Sequence, residues 1–249
     1  MLGPAALPAE PPLFGLALLP ATPRTGDPAA GVTLAAGVLL PGSMSLEDAL
    51  RPDLILAYER NGQALEPRNG APLRLIVPGW YGIANVKWLT RIEVRNRRYM
   101  GRFMGRDYVT VRGERQGGEV VFVESSVARM NLKSVVARVT KRAAKDGQVP
   151  LKAYGAVWGD GTPLKNVQVK LDGGEWREAQ IDDKPNEKYC WRFFSIDLGP
   201  VAAGKHTLVS RGIDANGRIQ PAAEDDEIAL KKTYWEAYQQ VVRTVEVEA

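Results

Sequence analysis

The chain has 249 residues, 45% of them hydrophobic and 25% charged, the balance of a globular protein with one large or two modest domains. Its 33 basic and 29 acidic residues leave a net charge of +4 spread along the sequence, which suits small anionic ligands and argues against nucleic acid as a partner. One cysteine excludes an internal disulfide framework, and with a single histidine, His206, the chain cannot assemble a Cys/His zinc site from its own residues.

Residues 1–40 are rich in Ala, Pro, Leu and Gly without helical or alternating period, so a poorly ordered extension is expected there. The apolar run from Leu13 to Pro20 is far shorter than the roughly 20 residues of a spanning helix. No basic residue precedes Arg24, so neither a membrane span nor an export signal is predicted. The compartment stays open. Regular signals begin at Ser45, where SLEDAL reads as a serine-capped helical turn with Asp48 three residues on. Leu54 to Glu59 is a strand-like run, and Asn61-Gly62 a tight turn whose residues tolerate positive φ. Leu73 to Val77 reads as a buried strand ended by Pro78-Gly79, and Val86 to Val94 as its return. An irregular Arg/Met/Tyr stretch then leads to a strand at Glu119 to Val123.

From about Met130, short β-branched runs alternate with turn residues. Strands are predicted at Ser134 to Thr140, Val149 to Trp158, Val167 to Asp172, Trp191 to Leu198, His206 to Asp214 and Val241 to Val247. This spacing indicates an immunoglobulin-like β-sandwich. The six tryptophans are expected mainly in core or interface positions, Cys190 as a small buried hydrophobe and His206 at the surface.

Several segments, in order, resemble the sulfite oxidase family of molybdenum-pterin enzymes. They are SLEDAL with LILAYERNGQAL, then PLRLIVPGWYGIANVKWLTRI, GRDYV, AYGAVWGDGTPLKNVQVKLDGGEW, YCWRFFSIDL and RGIDANGRIQP. The resemblance implies an α+β, mainly β architecture. A partial cofactor domain over residues 41–125, after the 1–40 extension, would precede an immunoglobulin-like dimerisation domain over 126–249. It implies a molybdenum-molybdopterin cofactor, sulfite or a related small oxyanion as substrate, a homodimer through the C-terminal domain and an electron-acceptor protein.

Carried over by position, Arg74 matches an arginine that holds the pterin, and Asn85, Val86 and Lys87 the tripeptide that contacts it. A guanidinium fork and an ammonium suit a phosphate-bearing ligand. Asn69 stands where the family has a histidine ahead of that arginine, and Ala84 where it has a further arginine. Tyr108 matches the tyrosine beside the metal and the substrate anion, and Arg192 an arginine that pairs with the substrate's oxygens. The family's metal-ligand cysteine has no counterpart upstream of Ser45. The resemblance therefore implies either a truncated enzyme or a non-catalytic dimerisation or binding module that pairs with a separate catalytic chain.

Overall fold

The computed structural model describes residues 31–36, 42–96, 99, 101–144, 146–185 and 187–248, with the backbone alone for 31–36. Two compact units are present. The first comprises Met1–Ile76 with Val86–Tyr99, and the second Val77–Asn85 with Met100–Ala249. Among the described residues no helix is long and apolar enough to cross a membrane.

The first unit contains β1 (Gly31–Ala36), β2 (Gly42–Ser45), the single-turn α1 (Leu46–Ala49), β3 (Ile55–Ala57), β4 (Glu59–Arg60), β5 (Gln63–Ala64), β6 (Arg74–Ile76) and β7 (Leu89–Arg95). Strand β1 lies between β2 and β7 in an antiparallel sheet. It falls inside the stretch expected to be an unpacked extension, and the rest of that stretch lies outside the described residues. Its GVTLAA sequence has too few large apolar residues to show a period, yet backbone pairing on both edges needs none. Helix α1 starts as predicted, with Ser45 Oγ accepting from the Asp48 amide at 3.0 Å. Asn61 (φ 54°) and Gly62 (φ 75°) make the expected turn between β4 and β5.

The second unit begins its regular structure with a hairpin, β8 (Val109–Gln116) and β9 (Glu119–Ser126). Then come β10 (Lys133–Lys141), β11 (Gln148–Trp158), β12 (Leu164–Leu171), β13 (Arg177–Glu178), β14 (Gln180–Ile181), β15 (Arg192–Ala202), β16 (Gly204–Asp214), the single-turn α2 (Asp226–Ala229) and β17 (Val242–Val247). Two four-stranded antiparallel sheets, ordered β10-β11-β15-β14 and β13-β12-β16-β17, form the predicted immunoglobulin-like sandwich. Alternate residues point inward, so Leu151, Ala153, Val167, Val169, Phe194 and Leu208 meet in a core with each at most 1% exposed. Opposite Phe194 in the ladder is Gly155, where a β-carbon would lie 2.1 Å from the phenyl Cζ. The ring takes the space that a side chain on β11 would need.

Candidate functional site

In the first unit, a 3₁₀ turn at Pro67–Asn69 ends on Gly70 in the left-handed conformation (φ 110°). A β-carbon at Gly70 would sit 3.1 Å from Lys87 Cβ and 3.2 Å from Arg74 Cβ. Glycine therefore lets two cationic side chains leave the backbone beside one point. Four successive carbonyls of this loop receive donors from the same neighbourhood. Trp88 Nε1 donates to Pro67 O at 2.8 Å, Lys87 Nζ to Arg68 O at 2.7 Å, Arg74 Nη1 to Asn69 O at 3.2 Å, and the Trp88 amide to Gly70 O at 3.2 Å. Arg74 Nε is buried with no hydrogen-bond partner among the described residues, so the guanidinium keeps an unmet donor. Val86 is buried, and its carbonyl accepts from the Leu75 amide at 2.9 Å. Trp88 holds a positive φ of 52° while half exposed, an unusual conformation for a bulky residue.

Asn85 belongs to the second unit, where its Oδ1 accepts from the Val77 amide at 2.8 Å and closes the Pro-Gly turn. Its side chain serves its own loop. Gly79 in that turn (φ 80°) packs under the Asp160 carbonyl and the Tyr189 ring.

Tyr108, also in the second unit, follows a π-helical turn at Phe103–Asp107 and leads into β8. Its half-buried ring lies 4.7 Å from that of Trp235 and 6.1 Å from that of Phe103. Its hydroxyl makes no hydrogen bond among the described residues, whereas its carbonyl accepts from the Val127 amide at 3.0 Å. Trp235 is carried on a loop whose carbonyls attract two lysines. Lys231 Nζ reaches Trp235 O at 2.7 Å and Glu236 O at 3.0 Å, and Lys133 Nζ donates to Ala237 O. Burial holds both ammonium groups below the usual lysine range.

Arg192 opens β15 and lines a cavity of about 420 Å³ together with Trp158, Thr162, Glu187, Tyr189 and Cys190. Its Nη2 donates to Asp182 O at 2.9 Å. Trp158 stacks on exposed Trp191 at 4.5 Å and an interplanar angle of 13°. Cys190 is exposed, contrary to the expectation of a buried thiol, because it follows a short turn closed by its own amide on Glu187 O. His206 is only partly exposed, pinned by Asp172 at 2.6 Å.

The structure thus groups Asn69, Arg74, Val86 and Lys87 in the first unit, and Asn85, Tyr108 and Arg192 in the second. Within the second, the rings that pack on Tyr108 are not among the residues lining the Arg192 cavity.

Two family models match the chain: an oxidoreductase molybdopterin binding domain over residues 32–103, and a Mo-co oxidoreductase dimerisation domain over residues 124–242. Human mitochondrial sulfite oxidase is 31% identical over 196 residues, covering 74% of this chain and 35% of the human protein. The chain belongs to the sulfite oxidase family. Sulfite oxidase from Arabidopsis thaliana is 31% identical over 197 residues (72% of this chain, 49% of the plant protein). A nitrate reductase from Phaseolus vulgaris is 32% identical over 200 residues (72% and 23%). The chain spans about a third of the length of the mammalian sulfite oxidases it matches. Its fold resembles the sulfane dehydrogenase SoxCD from Paracoccus pantotrophus, with a TM-score of 0.67 and 23% identity over 89% of this chain and 58% of that one.

Membership gives the Gly70 loop a ligand to be tested against. The unmet Arg74 Nε donor and the adjacent Lys87 side chain fit the anionic end of a molybdopterin. The metal's thiolate has no such fit: the single cysteine, Cys190, is in the second unit, and among the described residues no three His, Cys, Asp or Glu groups gather as a metal site. Sequence reasoning missed Trp88, whose positive φ leaves no mark on sequence, and the Trp235 loop, which lies more than a hundred residues from Tyr108. The lysines flanking an aromatic run, Lys231 to Trp235, were the available signal.

Proposed function

We propose that this chain is part of a molybdenum-cofactor oxidoreductase of sulfite oxidase type, acting on sulfite or a related small oxyanion. The observation that carries the proposal is the Gly70 loop, where a buried unmet guanidinium donor and a lysine stem leave the backbone beside one glycine. A guanidinium with a free donor favours phosphate or another oxyanion acceptor. Arg74 and Lys87 hold the anionic end of the cofactor, while Asn69, Asn85 and Val86 keep the flanking backbone in shape. When bound, the molybdenum centre supplies oxygen-atom transfer. Two separate anion contacts follow in the second unit: Arg192 offers its guanidinium from the cavity wall, and Tyr108, outside that lining, offers a hydroxyl that donates to an oxyanion without adding charge. None of these residues provides the metal's thiolate, so no transfer step is assigned to them.

The test is metal and pterin analysis of the full chain expressed in a cofactor-competent host. Molybdenum and pterin co-purifying with the parent, with pterin lost in Arg74→Met, is the expected result. Absence of both from the parent protein would sink the proposal.

A second reading is a non-catalytic module that pairs with itself and with a separate catalytic chain. The dimerisation-domain match over residues 124–242 favours it. Both readings include a closed two-fold homodimer; light scattering showing a monomer at every accessible concentration would remove that feature. An electron-acceptor protein is the further partner of the first reading.

A further inference from the structure

Packing alone orients the Tyr108 ring, because its hydroxyl has no hydrogen-bond partner among the described residues. The nearest ring is Trp235, centred 4.7 Å away and tilted by 46°; Phe103 stands farther off at 6.1 Å. Such tilted aromatic contacts carry a directional preference beyond simple burial. Trp235 is itself held with unusual thoroughness for a loop residue. Its own carbonyl and the next accept from Lys231 Nζ, and the one after from Lys133 Nζ. Glu236 adopts a left-handed φ of 54°, a conformation that persists in a non-glycine residue only when its surroundings enforce it.

Those surroundings lead back to the strand that carries Tyr108. Glu236 Oε2 accepts from the hydroxyl of Thr110 at 2.5 Å, and Thr110 is buried on β8 two residues beyond the tyrosine. The Val111 amide donates to Thr233 Oγ1 at 3.2 Å, and the Lys232 amide to Val111 O at 2.8 Å. The loop is therefore tied to the tyrosine's own strand at two consecutive residues, and the indole is the part of it that meets the phenol.

We infer that Trp235 is a positioning residue for Tyr108: the lysine-braced loop holds the indole against the phenol ring, fixing the direction in which the hydroxyl is offered to an oxyanion. The inference rests on the reading of Tyr108 as an anion donor. It assigns a role in that contact to Trp235, Lys231 and Glu236, none of which touches the anion.

The test uses the full chain with 3-fluorotyrosine placed at position 108, and sulfate as the probe anion. The parent is expected to give one narrow fluorine resonance. Trp235→Ala should broaden or split it and weaken sulfate binding about tenfold, the order expected for a misdirected hydrogen bond to a charged acceptor. Trp235→Phe, which keeps a ring, should restore most of both, and Lys231→Met should fall between. Melting curves on each variant identify any that fails to fold; should Trp235→Ala do so, Lys231→Met decides, and a resonance as narrow as the parent's in that variant would overturn the positioning role. A fluorine spectrum in Trp235→Ala identical to the parent's, with the protein folded, would overturn the positioning role. Tyr108→Phe binding sulfate as the parent does would instead overturn the anion reading, and with it the functional half of this inference.

Discussion

Gly79 and Tyr189 are packed so closely that a β-carbon at position 79 would lie 2.9 Å from the tyrosine Cε1, and 2.4 Å from the Asp160 carbonyl oxygen. The backbone carbonyl cannot swing aside as a side chain can, and φ at Gly79 is 80°. Gly79→Ala should therefore destabilise the fold by roughly 3 kcal/mol, summing overpacking and left-handed strain. Gly217→Ala is the control, since φ there is 83° but no atom lies within 4 Å of the added carbon. It should cost about 1 kcal/mol. Urea denaturation of both variants separates the crowding from the strain; equal losses would refute the packing argument.

Gln220, 1% exposed, ties the two sheets to the C-terminal segment. Its Oε1 accepts from the Ser134 amide and hydroxyl, both at 2.9 Å, and its Nε2 donates to Tyr238 O at 3.0 Å. Gln220→Leu keeps the volume but strands buried donors and acceptors. A loss of about 3 kcal/mol is expected from several unsatisfied groups, measured by chemical denaturation, and a loss within error of zero would contradict the network.

Asp172 and His206 should give stability a pH dependence of defined sign. The hydrogen bond that His206 donates to the Asp172 carboxylate raises its pKa above the ordinary histidine value of 6.5, aided by the Ala202 carbonyl. Burial pushes Asp172 upward, but hydrogen bonds from His206 and the Thr207 amide outweigh it and leave the carboxyl below 3.8. The histidine's contribution is complete below pH 6.5 and drains away as pH climbs through its higher folded value. The aspartate's is complete above pH 3.8 and is lost as pH falls through its lower folded value. Stability from this pair is therefore greatest between those two values. His206→Gln should flatten the decline on the alkaline side, followed by melting temperature against pH; an unchanged slope would assign that decline elsewhere.

Arg192 brings a fixed positive charge to a cavity that Glu187 and Lys188 also line. Arg192→Gln should weaken sulfate binding roughly tenfold, as expected for a lost charge-assisted hydrogen bond. The difference should shrink at high ionic strength. Isothermal titration at low and high salt checks both statements, and salt-independent affinities would exclude a charge-based contact.

How far the sequence foretold this molecule depends on which force sets each element. The sandwich strands were legible because burial of one face imposes alternation, as in β11, where Leu151, Ala153 and Val157 point inward. The Ser45 cap and the Asn61-Gly62 turn were legible because local hydrogen bonding and φ tolerance define them. Strand β1 was not, since its place depends on pairing with distant partners, nor was β8, whose VTVRGERQ sequence buries residues without strict alternation. At the candidate site, family resemblance singled out Arg74 and Lys87, and the structure sets both beside Gly70. That both would spend donors on the carbonyls of Arg68 and Asn69 could not be anticipated, because Gly70 sets that arrangement through a backbone angle.

The bare Gly155 beneath the Phe194 ring makes these two positions a single heritable unit. A larger residue at 155 is tolerable only after the ring at 194 has shrunk, and a shrunken ring leaves a hollow that only a larger neighbour refills. Each single step passes through a less stable intermediate, so drift at this pair should be epistatic, with double replacements surviving where either alone does not.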